Sequence, residues 1–477
     1  MKQTLSLTLL AGCISLALFL IFADLGSFPI ALWDESRLAV SALEMIETGQ
    51  WGINTFHYTP DTWNIKFPTL IILEAFSMKI FGLNEFAFRL PSALAVLFTC
   101  IYLVWFSQKI LGEKTIGILA VFILLTAYGY MDIHAAKTGD YDAMLSMFLT
   151  ISNLSMFAYL QRDKNQYYAL FGIGIIGAIA TKSVAGSLFL VPLFFYILKE
   201  NKLRNILQNK LTYVIILFPL ILFGLYLYWR QQIQPVYFKT LLEIDVLGRA
   251  TNSLSNHGSP FYVYFHKLIQ FYFQYWILFF IAAFLYISKN KSYPYRTVIS
   301  FVGFISLLFL GIISICQTRL DWYCLPVVPL FSVVSAILVF EIYTIILKSH
   351  KPILAYCFLI AIFINPLLNT INKISNGEGF KKDIALVALV DKIKNIPKNS
   401  EPVRIITYEY RPDILFYVLA GHMKGKDMTM IFPEQIKPHE TILFFNKELS
   451  AYVAQKWIYR HIDSSEHYSH LKIIAPK

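Results

Sequence analysis

The sequence predicts a polytopic α-helical membrane protein that closes with a small α/β domain. Of its 477 residues, 57% are hydrophobic and 15% charged, and mean hydropathy is positive, a balance foreign to soluble enzymes. Apolar windows long enough to cross a hydrocarbon layer of about 30 Å recur as far as residue 370. After about residue 371 charges become frequent and apolar runs shorten, which divides the chain into residues 1–370 and 371–477.

The first window runs from Leu5 to Ala23. Leu10-Ala11-Gly12-Cys13 imitates a lipoprotein cleavage box, but the apolar run continues through it, which favours an uncleaved span. Further windows fall at 90–111, 115–131, 141–160, 167–181, 186–198, 212–229, 268–287, 297–315, 323–345 and 353–370, about eleven spans in all. One set of short loops carries Lys109, Lys114, Arg162, Lys164, Lys199, Lys202, Arg204, Lys210, Lys289, Lys291, Arg296, Lys348 and Lys351, and the positive-inside bias turns these to the cytoplasm. That topology absorbs most of the formal net charge of +11, so no nucleic-acid partner is implied.

Between the spans, Ser36–Thr48 has polar residues (Arg37, Ser41, Glu44, Thr48) on one helical face and apolar residues on the other. It reads as a helix lying in the outer interface, ended by Gly49. A short apolar stretch from Phe67 to Phe81 ends at Gly82, and the outer segment Gln231–His266 is too long for a tight turn. In the C-terminal domain, Val403–Tyr408, Met428–Ile431, Thr441–Phe445 and Leu471–Ile474 read as strands. Ile384–Ile393, Asp413–Ala420 and Leu449–Trp457 read as helices. An odd number of spans places this domain on the extracytoplasmic side. The five cysteines form no metal or redox motif, although Cys316 and Cys324 are near enough in sequence to pair. His461, His467 and His470 read as surface residues of a polar tail.

Chemistry-bearing residues gather in the outer loops. Asp34-Glu35 follows the first span, and Asn64-Ile65-Lys66, Lys137 through Asp142, Thr181-Lys182-Ser183 and Arg319 through Pro326 each put charge at the outer end of an apolar stretch. Any one of these could be an ordinary interfacial anchor, but five on one face suggest a shared polar cavity. Lys66, Lys182, Arg249 and Arg319 suit a phosphate. Asp34, Asp140 and Asp142 suit proton abstraction or sugar-hydroxyl binding. A lipid-linked phosphosugar meets both demands.

The ordered series Asp34-Glu35-Ser36-Arg37, Glu44-Met45, Gly49-Gln50-Trp51, Lys66 with Pro68, Phe81-Gly82 with Glu85, Arg89-Leu90-Pro91, Gly139 to Asp142, Thr181-Lys182 and Tyr323 with Pro326 resembles the bacterial branch of the dolichyl-phosphate-mannose protein mannosyltransferase superfamily. That branch includes the aminoarabinose transferase that modifies lipid A. The resemblance implies a GT-C fold, inverting transfer from a polyprenyl-phosphate sugar, and an extracytoplasmic site in a bacterial inner membrane. It implies Asp34 as catalytic aspartate and Asp142 as the acidic residue of the second outer loop. Lys66, Lys182, Arg249 and Tyr323, with Arg319 nearby in sequence, would contact the donor phosphate, and Glu35, Arg37, Asp140 and His257 would line the substrate site. Ile65 stands where the aminoarabinose transferase has a glutamate, and Phe67 where many relatives have a second proline. No cofactor is firmly implied, and a divalent metal stays open. Expected partners are the polyprenyl-phosphate sugar, an acceptor that is lipid A, another glycan or a protein, and the surrounding lipids. The rivals are a lipid-linked-sugar flippase or transporter and a noncatalytic lipid-binding envelope protein. A carrier would place its ionisable groups nearer mid-span than they fall here.

Overall fold

The computed structural model describes residues 2–252, 259–376, 383–398, 400–445 and 447–477. The chain forms a multi-pass helical membrane fold with a C-terminal sheet domain, and it divides into two compact units. One comprises Met1–Ala23, Asp61–Leu70 and Ser92–Ser375; the other comprises Asp24–Pro60, Ile71–Pro91 and Asn376–Lys477. The expected division at residue 370 is therefore incomplete, because two outer segments belong with the C-terminal residues. Within that second unit, Ile30 donates its N–H to the Tyr417 hydroxyl (2.9 Å), and Glu85 accepts from Tyr417 (2.7 Å) and from Lys394 (2.7 Å).

The first helices are α1 (Lys2–Phe22), α2 (Asp34–Thr48), α3 (Thr69–Phe81), α4 (Glu85–Phe106), α5 (Lys114–Leu125), α6 (Tyr141–Arg162) and α7 (Asn165–Lys182). Among the described residues, six helices are long and apolar enough to cross a membrane, or seven if one bent pair counts as a span. Several expected windows are shorter in the fold. The window 115–131 is the 12-residue α5, which Thr126 closes by turning its hydroxyl onto the Phe122 carbonyl (2.6 Å). The window 268–287 breaks between Val263–Tyr272 and Ile277–Lys289, which meet at 114°. Trp276 pins the break by donating its indole N–H to Thr126 Oγ1 (3.2 Å).

In the first unit α6 and α7 form an antiparallel hairpin, turned by Asp163 in the left-handed conformation (φ 51°). A Cβ on Gly174 would sit 2.7 Å from the Ser152 amide nitrogen and 2.8 Å from the Phe148 carbonyl oxygen, so glycine there sets how closely the two backbones approach. Buried cations close other helix ends. Lys137 donates to the carbonyls of Leu20 (2.7 Å), Ile21 (3.1 Å) and Ala23 (3.0 Å), satisfying the end of α1. Lys373 pairs with Asp132, donates to the Tyr128 carbonyl (3.0 Å) and lies 3.7 Å from the Tyr128 ring centroid.

In the second unit α2 is 15 residues long and ends at Gly49 with φ 69°. Its polar face is buried in part, with Arg37 half-buried and Thr48 exposed. Ser41 and Glu44 are buried, Thr55 donates its N–H to Ser41 Oγ (3.2 Å), and the helix packs on Pro412–Met423. β1 (Thr55–Phe56) and β2 (Thr59–Pro60) form a small antiparallel pair. β3 (Val403–Ile406), β4 (Met428–Ile431), β5 (Thr441–Phe444), β6 (Trp457–Ser464) and β7 (Ser469–Pro476) make a sheet in the order β4-β3-β5-β7-β6. β3 runs parallel to β4 and β5, and β7 runs antiparallel to β5 and β6. Ile406, Ile442, Phe444, Leu449, Val453, Leu471 and Ile473 form its core.

Two sequence expectations are corrected here. β6 was not foreseen, because this edge strand leaves most of its side chains exposed and so lacks a clear period-two pattern. His470 is buried on β7 and is not a surface residue. Cys316 and Cys324 are both free thiols.

Arg89 holds the second unit's outer loop. Fully buried, it donates through Nε and Nη2 to both oxygens of Glu35 (2.6 and 2.9 Å) and to the carbonyls of Leu25, Phe28 and Pro29 (2.8–2.9 Å). Removing one member of such a pair strands the other in a dry site. Arg89→Met is expected to lower unfolding free energy by about 3–5 kcal/mol, seen as a large fall in the unfolding temperature of the detergent-solubilised protein. An unchanged transition would refute this role.

Candidate functional site

Helix lengths bring the central pair together. From Asp142 to the end of α6, and from the start of α7 to Lys182, the helices rise about 30 Å and about 26 Å at 1.5 Å per residue. An antiparallel hairpin of these two therefore returns Lys182 to the level of Asp142. Lys182 Nζ lies 2.6 Å from Asp142 Oδ1, with the two side chains only 10% and 4% exposed. The carboxylate sits in the first turn of α6 and the ammonium in the last turn of α7, where the helix dipoles favour each.

Three neighbours extend the pair. Lys182 lies 5.3 Å from the Tyr323 ring centroid, and the Tyr323 hydroxyl accepts from Arg249 Nη1. Arg249 in turn donates from Nε to Asp245 (3.0 Å), one helical turn earlier. Burial opposes the charge on Arg249, but Tyr323 and Asp245 outweigh it and hold the guanidinium pKa above its usual value. On the other side of α6's start, Lys66 lies 5.3 Å from the Tyr141 ring centroid and 3.4 Å from Asn64 Oδ1; Asn64 also donates to the Tyr141 hydroxyl (3.0 Å). The chain of contacts places guanidinium, ammonium and phenol donors in one part of the first unit, a set suited to the oxygens of a phosphate.

Other expected site residues are placed differently. Asp140 is buried in the turn before α6, where it accepts from the Thr138 hydroxyl (2.5 Å) and lies 3.5 Å from His134 Nδ1, so its oxygens serve the turn rather than a substrate. Arg319 donates from Nε to the main-chain carbonyl of Ser314 (2.9 Å) and from Nη1 to that of Ser259, contacts that tie it to the surrounding loops. Glu35 is corrected from substrate contact to structural partner, since both its oxygens are held by Arg89 and one also accepts from the Ala31 N–H (2.7 Å). His257 lies outside the described residues.

Asp34 and Arg37 lie in the second unit. Asp34 is exposed at the first residue of α2, directly after Trp33, whose φ of 81° is costly for a side chain of that size. Arg37 donates to the Tyr410 hydroxyl (2.8 Å) and lies 4.3 Å from the Phe56 ring centroid.

The model of the family described as dolichyl-phosphate-mannose-protein mannosyltransferase matches residues 68–229. The crystal structure of ArnT from Cupriavidus metallidurans bound to undecaprenyl phosphate superposes with a TM-score of 0.75 at 14% identity, covering 98% of both chains. The chain shares the fold of that structure, and residues 68–229 match the mannosyltransferase family model. Among its relatives by sequence, an uncharacterized protein of Aquifex aeolicus is 27% identical over 67% of this chain and 61% of its own length. The undecaprenyl phosphate-alpha-4-amino-4-deoxy-L-arabinose arabinosyl transferase of Aeromonas salmonicida is 25% identical over 52% of this chain and 45% of its own. The chain thus matches about half to three fifths of the length of these curated relatives.

Sequence reading missed Asp245 and His134. Asp245 was legible as the i,i+4 partner of Arg249. His134 stacks on Trp322 with ring centroids 3.7 Å apart, a contact between distant segments that no local pattern announces.

Lys182→Met is expected to destabilise the protein by about 3–5 kcal/mol by stranding Asp142, and the further change Asp142→Asn should recover most of the loss. Thermal unfolding of the wild type, both single variants and the double variant measures the coupling. Additive losses would show that the two groups do not act as a pair.

Proposed function

We propose that this protein is an inverting glycosyltransferase that moves a sugar from a polyprenyl-phosphate donor to lipid A or another envelope acceptor on the extracytoplasmic face of the membrane. The observation that carries the reading is the cluster formed by Lys182, Tyr323, Arg249 and Asp142 at one end of the α6–α7 hairpin, together with Lys66 beside Tyr141. The names of the sequence relatives support the same donor class.

In this mechanism Asp34 takes the proton of an acceptor hydroxyl, and the oxygen attacks the anomeric carbon from the face opposite the phosphate. The bond from the anomeric carbon to the phosphate oxygen breaks, and its electron pair leaves on the polyprenyl phosphate. Lys66, Lys182, Arg249 and Tyr323 stabilise the charge that develops there. Asp142 fixes Lys182 for that task. The part given to Asp34 rests on the family resemblance and on its exposure at the start of α2.

Asp34→Asn is expected to reduce transfer of radiolabelled sugar from a polyprenyl-phosphate donor in membranes by at least about a hundredfold, the scale of general-base catalysis, with donor binding retained. Full transfer by that variant would overturn the assignment of the base. Mass spectrometry of lipid A, surface polysaccharide and exported proteins from cells with and without the gene identifies the acceptor.

A further inference from the structure

A second basic group lies outside the cluster just described. The helix Lys210–Ile233 begins among the basic loop residues assigned to the cytoplasm and carries Arg230 near its other end, about 30 Å along. Arg230 is only 1% exposed. Its guanidinium lies 4.6 Å from the Tyr237 ring centroid, and Nη2 donates to Gln234 Oε1 (3.0 Å). Nε and Nη1 have no hydrogen-bond partner, and no carboxylate pairs with Arg230 among the described residues. Arginine stays charged at any physiological pH, and a buried charge at a membrane boundary without a counter-charge costs free energy unless a ligand supplies one.

The surroundings tie Arg230 to the phosphate cluster. Tyr237, which stacks under it, donates its hydroxyl to the carbonyl of Ile65 (2.7 Å), the residue before Lys66. Phe67 packs on Phe223 and Tyr226 of the Arg230 helix, with ring centroids 4.5 and 4.8 Å apart. Past Tyr237 the chain continues directly through Tyr237–Thr240 and Leu241–Gly248, bringing Asp245 and then Arg249. Arg230 therefore adjoins the loop that presents Lys66 and begins the segment that presents Arg249.

We propose that Arg230 is a further anion-binding residue of this region, whose free Nε and Nη1 donors take oxygens of a lipid-borne phosphate. The inference rests on the proposed function for the place of the phosphate, and it adds a residue that neither the family motifs nor the charge clusters singled out. The planar guanidinium matters as well as the charge, because its N–H directions are fixed and each free donor can meet a separate oxygen.

The test uses the full-length protein in nanodiscs, with ligand-induced shifts in unfolding temperature for three probes: a short-chain polyprenyl phosphate, inorganic phosphate, and phosphatidylglycerol built into the disc. The expected result is that polyprenyl phosphate stabilises the wild type, and that Arg230→Met and Arg230→Gln bind it at least tenfold more weakly. The probe-free unfolding temperature of both variants should equal or exceed that of the wild type, since an unpaired buried charge has been removed. Stabilisation by phosphatidylglycerol or inorganic phosphate alone, lost in the variants, keeps the anion site and changes its source. Wild-type binding by both variants, or loss of the folded state in both, overturns the role of Arg230. A wild type that binds none of the three probes overturns the proposed donor as well.

Discussion

A charge placed at the boundary of a bilayer must be paired, and that constraint organises both units of this protein. A bare ammonium, guanidinium or carboxylate removed from water costs several kcal/mol even after relaxation. The fold meets the cost with specific partners: Arg89 with Glu35, Lys182 with Asp142, Lys373 with Asp132, and Lys137 with the carbonyls that end α1. These contacts also set geometry. The Arg89 contacts fix residues 25–35 of the second unit, and the Lys182 contact fixes the outer ends of α6 and α7 against each other.

The same chemistry serves structure in one place and chemistry in another, and the partner distinguishes them. Arg319 gives Nε and Nη1 to uncharged main-chain carbonyls and Glu35 gives both oxygens to an arginine, so each takes part in holding a loop. Lys182 and Arg249 are held by one carboxylate each and both reach Tyr323, Lys182 near its ring and Arg249 at its hydroxyl. Such an arrangement pre-orients cations without saturating them, as binding a leaving phosphate requires.

Much of this was legible in the sequence, because it follows from helix length and periodicity. The position of Lys182 opposite Asp142 follows from two apolar runs of similar length joined by a short polar turn. Gly49 at the end of α2 follows from its pattern. The strands Met428–Ile431 and Thr441–Phe444 follow from short apolar runs bounded by polar residues. What escaped depends on distant contacts. An arginine at the end of a span reads the same whether it meets a phosphate or a carbonyl, so Arg319 could not be told from Arg249. The apolar window 212–229 stops one residue before Arg230, which left that arginine grouped with the loop. Nothing local in the pattern of α2 announced its packing on Pro412–Met423, and β6 escaped for want of a buried face.

The proposed function puts the phosphate of a polyprenyl lipid among Lys182, Arg249 and Tyr323. Photo-crosslinking tests it most directly, with a polyprenyl phosphate carrying a diazirine on the isoprene unit next to the phosphate and peptide mass spectrometry to map the adducts. Adducts are expected on peptides containing Arg249 or Tyr323, and an excess of unlabelled polyprenyl phosphate should suppress them. Suppressible adducts confined to the opposite ends of the helices, around Lys109 and Arg162, would show that the phosphate sits elsewhere.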